Sequence, residues 1–391
     1  MSYTLDETDI DQSLKSKALL MNDKKICHSI VLRAEKISSI SAMGKKYRYK
    51  HPSMTLEKRA IGSLKSGDIR VEILYAGICG TDVHLLQTDV NGFSMSSAPS
   101  DISLDGRIIG HEGVGKVIEV GLDVFNFKAG DVVGLQSIIT CFNCDPCRRG
   151  QFNQCVNAKL IGMQTDGLFS EIADFPENIA YNLNQLNKND DSLKAAACLE
   201  PAGVSWLACE QSAVSSGDKV LIFGGGPIGY FCAMFSKLLF GCSWVGLVEP
   251  SEFRRNHAKK WCDDVFDSVN EGLKSKNFDV VIEASGCLTN VAATLAQINP
   301  SGRVVLLARS GESLHLESID HIITNAIKIM GVRGHLGGAF RRIIDLYVAG
   351  KIPIHEAVTE VVDSIDELYL KLQKPEEVGI KNCKILAKLS K

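Results

Sequence analysis

The sequence predicts an α/β protein in two parts, one β-rich and the other built on a doubly wound parallel sheet. Three observations predict it. Between about residues 17 and 199, short β-type runs such as "DIRVEILYAGICG", "EGVGKVIEVG" and "AGDVVGL" are separated by glycines and irregular loops. After about residue 204 the rhythm changes, and apolar runs "KVLIFGG", "WVGLVE", "DVVIEA" and "RVVLLA" alternate with helical patterns such as "SEFRRNHAKKWC" and "LTNVAATLAQI". That alternation means parallel βαβ units with helices on both faces. Third, "VLIFGGGPIGYF" joins the first of these strands to an apolar helix through a run of glycines. Beyond Gly334, one helical segment, "AFRRIIDLYVAGKI", and a β-like tail, "CKILAKL", are expected to return to the first part. The expected division is therefore 1–203 completed by 334–391, with 204–333 as the second domain.

Bulk properties narrow the function. A chain of 391 residues can bury a large core, and 23% charged with 45% hydrophobic residues is ordinary globular composition. A net charge of −3 offers no basic footprint, so neither nucleic acid nor an anionic membrane is an expected partner. The start, "MSYTLDETDIDQSLKSK", has no apolar signal core, and "VLIFGGGPIGYFCAMF" is too short and glycine-rich to span a bilayer. Thirteen cysteines, an odd number, argue against a complete disulfide framework and for a reducing cytoplasm in which clustered thiols hold metal. Residues 1–16 read as a loosely packed leader, "AEKISSISAMGKKYRYKHPSMT" as a surface insertion, and "QTDVNGFSMSSAPSDISLDG" as a long loop.

"CFNCDPCRRGQFNQC" spaces Cys141, Cys144, Cys147 and Cys155 by two, two and seven residues. Two-residue gaps turn neighbouring thiolates onto one ion, and the longer gap closes a tetrahedron. Four sulfurs leave no open position, so a zinc ion there would staple a loop. In "GGGPIG", Gly224, Gly226 and Gly229 form G-x-G-x-x-G after a strand. The first glycine permits the tight turn, the second lets backbone approach a pyrophosphate, and the third packs helix on strand. Glu249 ends the next strand, twenty residues beyond Gly229. An acid there accepts hydrogen bonds from ribose hydroxyls and repels a 2′-phosphate, so NAD is expected. Arg254 and Arg255 follow and keep NADP as the alternative.

Beside such a domain, "CGTDVH" and "GHE" gain a shared purpose. Cys79 and His111 suit a zinc ion with one position left for substrate. A further ligand is needed, and Glu200 in "AAACLEPAGVSW", near the expected domain junction, or Glu112 beside His111 can supply it. Cys198 is a rival read as a core residue among alanines.

Together these motifs resemble the zinc-dependent medium-chain dehydrogenase family, and within it the polyol (sorbitol-like) and L-threonine dehydrogenase branch. The signatures are "CGTDVH", "GHE", the four-cysteine run, "EP" at Glu200–Pro201, "GGGPIG" and "EPSEFRR", spread from about Lys17 to the C-terminus. The resemblance implies a GroES-like β-rich catalytic domain and a Rossmann domain. It makes Cys79, His111 and Glu112 ligands of a catalytic zinc, with Glu200 a ligand or one that swings in and out, and adds one structural zinc per chain. It carries cofactor contacts to Pro227, Ile228, Glu249 and Arg254, and to the strand ends at Leu307, Ala308, Val332 and Arg333. It also implies a homo-oligomer, a tetramer or dimer.

The expected reaction is oxidation of a secondary alcohol (a polyol, sugar, cyclitol or amino alcohol) to a ketone by hydride transfer to NAD. Thr81, two residues after Cys79, is expected to face the same side of an extended segment and take the hydroxyl proton. By the resemblance, His84 delivers it to solvent. The competing readings are a zinc-free, NADPH-dependent reductase on the same fold and a non-catalytic NAD-binding protein. Substrate choice is expected to reside in "LLQTDVNGFSMSSAPS" and "RGHLGGAF", where His335 reads equally as a substrate contact or a surface-loop residue. Two departures from the family stand out: Cys262 in "KKWCDDVFD", at a position that favours left-handed backbone, and Leu168 in "DGLFSE", where a second glycine is common.

Overall fold

The computed structural model describes residues 26–37, 49–102, 104–187, 189–270, 273, 276–317 and 319–390. The expected leader at 1–16 lies outside the described residues. Among the described residues, four sheets organise the chain. The strands β1 (Ile26–Lys36), β2 (Tyr49–Ala60) and β4 (Arg107–Ile108) form the first, in the order β2-β1-β4. The second is seven-stranded. It takes β3 (Asp68–Gly77), β5 (Glu112–Val120), β6 (Val132–Leu135), β9 (Ile172–Pro176), β10 (Ala180–Asn182), β17 (Val358–Val362) and β18 (Lys384–Lys388). Its path is β10-β6-β5-β3-β18-β17, with β9 also pairing β3. A short pair, β7 (Ile138–Ile139) and β8 (Lys159–Leu160), brackets the cysteine run.

The second half is a six-stranded parallel sheet. Its strands are β11 (Lys219–Phe223), β12 (Trp244–Val248), β13 (Asp264–Phe266), β14 (Phe278–Glu283), β15 (Ile298–Leu306) and β16 (Lys328–Gly331), in the order β13-β12-β11-β14-β15-β16. In β11, Val220, Leu221, Ile222 and Phe223 are all fully buried, as a strand covered on both faces requires. By contrast β3 buries Ile69, Val71, Ile73 and Tyr75 on alternate positions and leaves Glu72 and Leu74 between them partly exposed, although Arg70 and Ala76 are buried too. The two halves meet through the helix Leu199–Gln211, which runs across the position where the sequence rhythm changes and packs on the helix Pro227–Leu238.

Several expectations are corrected. The polar "AEKISSISAMGKKYRYKHPSMT" is not wholly an irregular insertion, because its two ends are strands of one antiparallel hairpin, with Glu35 opposite Lys50 and Lys36 opposite Tyr49. Alternation of apolar and charged residues in β2 is diluted by two lysines and a proline, which hid the strand. The return beyond Gly334 contains the helix Ala339–Val348 and β18, as read, and also β17 and the helix Ile365–Leu372. Cys262 is extended, at φ −119° and ψ 143°, because a 3₁₀ turn over Lys259–Trp261 ends the helix in place of a left-handed cap. Leu168 is fully buried against Gly113. No helix among the described residues is long and apolar enough to cross a membrane.

Candidate active site

Strand register assembles the first cluster. Gly77, the last residue of β3, pairs with Glu112, the first of β5. Cys79 follows β3 as the cap of the helix Gly80–Leu86, and His111 precedes β5, so a thiol, an imidazole and a carboxyl group converge. Donor atoms of Cys79, His111 and Glu112 all lie within 4.8 Å of one another. The cap is fastened by Asp82, whose Oδ2 accepts the Cys79 backbone N–H at 3.0 Å. Its other oxygen is buried 3.6 Å from His111 Nδ1, an ion-pair approach just beyond hydrogen-bond reach, and neither atom has a hydrogen-bond partner. Asp82 therefore both caps the helix and orients the imidazole, a role its sequence position does not announce.

The electrostatics agree. Burial pushes the Cys79 thiol up, but the His111 imidazolium outweighs it and holds the thiol below its ordinary pKa. Burial likewise pulls His111 down, and the Cys79 and Asp82 charges overcome it, leaving the imidazole well above its usual value. The pair is shifted toward thiolate and imidazolium, a donor set suited to exchanging a proton for a metal ion.

The two carboxylate candidates are placed differently. Glu112 belongs to the cluster and is paired with Lys384, a fully buried lysine that also donates to Ile78 O at 2.8 Å. Burial pushes the Lys384 ammonium down to about 8. Glu200 stands outside the 4.8 Å cluster, on the first turn of the helix Leu199–Gln211. Its Oε1 accepts from Ser137 Oγ at 2.9 Å and lies 3.3 Å from His335 Nδ1. Although burial raises the Glu200 pKa, His335 and then His111 lower it by more. His335 is not a surface-loop residue. It is fully buried, and its Nε2 accepts the Ser137 backbone N–H at 3.2 Å, which leaves the proton on Nδ1, facing Glu200. Cys198 is completely buried, and burial pushes its thiol up, so it is core, as read.

Thr81 lies on the first turn of a helix and not in an extended segment, yet its Oγ1 still approaches Cys79 Sγ to 3.7 Å. His84 sits three residues on, exposed, with its pKa lowered by the protein packed against the ring.

The cysteine run forms the second cluster, with all four Sγ atoms within 4.8 Å. Cys141 and Cys155 sulfurs are 3.5 Å apart and Cys144 and Cys155 3.9 Å. A zinc ion at 2.3 Å from each sulfur requires tetrahedral edges of about 3.8 Å, so the set fits. Asn143 and Cys144 backbone N–H groups and the Asn157 side chain pull the Cys141 thiol down to about 6. None of the thirteen cysteines is in a disulfide.

The third element lies at the C-terminal edge of the parallel sheet. Gly224 has φ +98°, and a Cβ on Gly229 would come within 1.8 Å of Gly224 O, so both glycines serve the fold directly. At Gly226 a Cβ would meet nothing nearer than Arg254 Nη1 at 3.9 Å, an open cradle at the start of the helix Pro227–Leu238, which also bears Ile228. Glu249 is buried, and its two oxygens accept the backbone N–H groups of Gly225 and Ser251 at 2.7 and 2.8 Å. Arg254 donates through Nε to Asn382 O at 2.8 Å, with Nη1 3.9 Å from Glu249. Arg255 is spent on the carbonyls of Glu249 and Pro250. Leu307 and Ala308 follow β15, and Val332 and Arg333 follow β16, on the same sheet edge.

Comparison with known proteins agrees with this arrangement. Residues 65–185 match the alcohol dehydrogenase GroES-like domain, and residues 227–349 match the zinc-binding dehydrogenase domain. The L-threonine 3-dehydrogenase of Pyrococcus furiosus is 32% identical over 77% of this chain and 86% of its own length. The D-xylulose reductase A of Aspergillus oryzae is 29% identical over 79% and 87%. Among solved structures, the 2R,3R-butanediol dehydrogenase of Bacillus subtilis shares the fold at a TM-score of 0.76 with 20% identity, over 94% of this chain and 100% of that one. Metal-ready clusters, a dinucleotide loop and these relatives lead to one assignment: the chain belongs to the zinc-dependent medium-chain dehydrogenases, in their polyol and threonine dehydrogenase branch.

Proposed function

We propose that the protein oxidises a secondary alcohol to a ketone, with NAD as hydride acceptor, one zinc ion at the Cys79–His111–Glu112 cluster and a second in the four-cysteine lobe. The observation that carries the reading is the convergence of a half-buried cysteine sulfur with a buried imidazole and a buried carboxyl group, all within 4.8 Å. A zinc-free reductase needs no such set, and a non-catalytic NAD-binding protein needs no proton acceptor beside it. When bound, zinc supplies Lewis acidity toward the substrate oxygen, and NAD supplies the hydride acceptor.

The protein's own groups do the rest. Asp82 holds a proton on His111 Nδ1, which frees the Nε2 lone pair for the metal. Thr81 Oγ1, 3.7 Å from the Cys79 sulfur, takes the proton from the substrate hydroxyl. Burial holds the His84 pKa below its ordinary value, which favours the neutral ring that can accept that proton at the surface. Glu249 has lone pairs beyond the two backbone bonds it accepts, and these suit ribose hydroxyls. Arg254 and Arg255 are already engaged with carbonyl groups, which favours NAD over NADP. The unpaired outer edge of β16, among the described residues, supports a homo-oligomer.

A screen of polyols, cyclitols, sugars and amino alcohols at alkaline pH, following NADH absorbance with NADP in parallel, tests the proposal. The expected result is NADH formation that a chelator abolishes. Activity indifferent to zinc, or none across the panel, overturns it.

A further inference from the structure

We propose that Arg309 and Arg333 form a receptor for an anionic group on the substrate, so that the alcohol oxidised here carries a carboxylate or a phosphate ester; the inference rests on the function proposed above and narrows its substrate class. Strand register brings the two together. Leu306, the last residue of β15, lies beside Gly331, the last of β16. Arg309 and Arg333 therefore follow neighbouring strands at one C-terminal edge of the parallel sheet, the edge along which ligands of such sheets bind. The Val332 N–H donates to Leu306 O at 3.1 Å, which keeps the two segments side by side up to Arg333.

Among the described residues, neither guanidinium has a hydrogen bond or an ion pair. Arg303, earlier on β15, shows the contrast, since it meets Asp218 Oδ2 at 2.5 Å. Arg309 is exposed and Arg333 partly buried, so both remain open to a ligand. The protein packed around Arg309, and then the Arg333 charge, hold the Arg309 pKa below its ordinary value, so the two cations act on each other with no acid paired to either. An anion between them would relieve that repulsion, and guanidinium forks match the oxygens of a carboxylate or phosphate. Arg333 is also close in sequence to His335, whose Nδ1 lies 3.3 Å from Glu200 beside the open metal cluster. The cofactor's pyrophosphate is the other candidate anion. Its cradle at Gly226 follows β11, two strands from β15 and three from β16, or about 10 and 14 Å at the usual strand spacing.

The test assays purified full-length protein with NAD on sugar acids, hydroxy acids and sugar phosphates, each beside a neutral polyol of matched skeleton. Wild type is expected to favour the anionic members about tenfold or more in kcat/KM, and the better of carboxylate and phosphate ester identifies the group. Arg309→Gln and Arg333→Gln should each raise KM for the best anion about tenfold, and the double variant about a hundredfold, well beyond any loss on the neutral partner. Arg309→Lys, which keeps the charge without the fork, should recover part of the loss. In the NADH-bound protein the same anion should raise the melting temperature of wild type and not of the double variant. NADH fluorescence titration reads cofactor affinity separately. Weaker NADH binding with equal losses on both substrate classes would assign the pair to the pyrophosphate and overturn the proposal, as would a wild type indifferent to substrate charge. No NADH from any member, anionic or neutral, would instead refute the proposed function, and the melting shift would still decide whether the arginines hold an anion.

Discussion

The two metal-ready clusters are built in opposite ways. The four-cysteine lobe takes every donor from one stretch of fifteen residues, Cys141 to Cys155. The open cluster takes Cys79 from the turn after one strand, His111 and Glu112 from the start of the neighbouring strand and the residue before it, and its attendants Glu200, His335 and Lys384 from far downstream. The first is a local loop that metal can fold. The second exists only when the seven-stranded sheet is complete, and each of its donors has a protein partner that tunes it. Closed sites contribute stability, and open sites contribute chemistry.

Mutations can break or sharpen that contrast. The largest effects come from exchanging one sulfur in each cluster. Cys79→Ser is expected to lower kcat/KM by about 10³-fold or more, since the lost Lewis-acid assistance is worth several kcal/mol, and to leave one zinc per chain. Cys144→Ser should do the reverse, with a melting temperature lower by many degrees and a lobe stripped of zinc, while the fraction still folded turns over at close to the normal rate. Metal analysis beside kinetics and melting curves separates them, and matching phenotypes would end the distinction. Next in size, Thr81→Val should cost about 10²-fold in kcat and flatten its pH profile without loss of zinc. An unchanged profile removes Thr81 from the proton path.

The dinucleotide loop offers a finer version of the same contrast between fold and function. Glu249→Ala should raise the KM for NAD by roughly tenfold to a hundredfold, because it removes an acceptor from the ribose and leaves two backbone N–H groups unpaired. Smallest of all, Gly226→Ala should leave the melting temperature of the cofactor-free protein nearly unchanged and weaken NAD binding by about tenfold, since only a ligand would meet the new methyl group. Thermal melts and NADH fluorescence titration read both. A large loss of stability in Gly226→Ala would show that the cradle is structural, as Gly229 is.

What could be read in the sequence follows the same division. The cysteine lobe was fully legible, because its donors and their spacing sit in one segment. The fold class was legible through the change from glycine-punctuated β runs to strand–helix alternation, although β13 and β16, of three and four residues, escaped that rhythm, and β17 lies beyond it. Cys79, His111 and Glu112 could be named from residue chemistry and from resemblance. Lys384 could not, since a lysine in "CKILAKL" looks like any strand residue until register sets it against Glu112. His335 looked like a loop residue because "RGHLGG" is glycine-rich, yet it is buried where Ser137 and Glu200 meet it. Thr81 was placed beside the sulfur for the wrong reason, since a helical turn and not a strand brings it there.

The pairing of β3 with β18 also bears on how the chain is made. A ribosome must add about three hundred residues after β3 before the strand that seals its flank exists, a separation that slows folding. Until then the Tyr75–Gly77 end of β3, beyond the stretch that β9 covers, presents a bare ladder edge, the kind of surface on which nascent chains stick to one another. Chaperone demand and yield in expression should therefore respond to changes in β18 more sharply than its five residues would suggest.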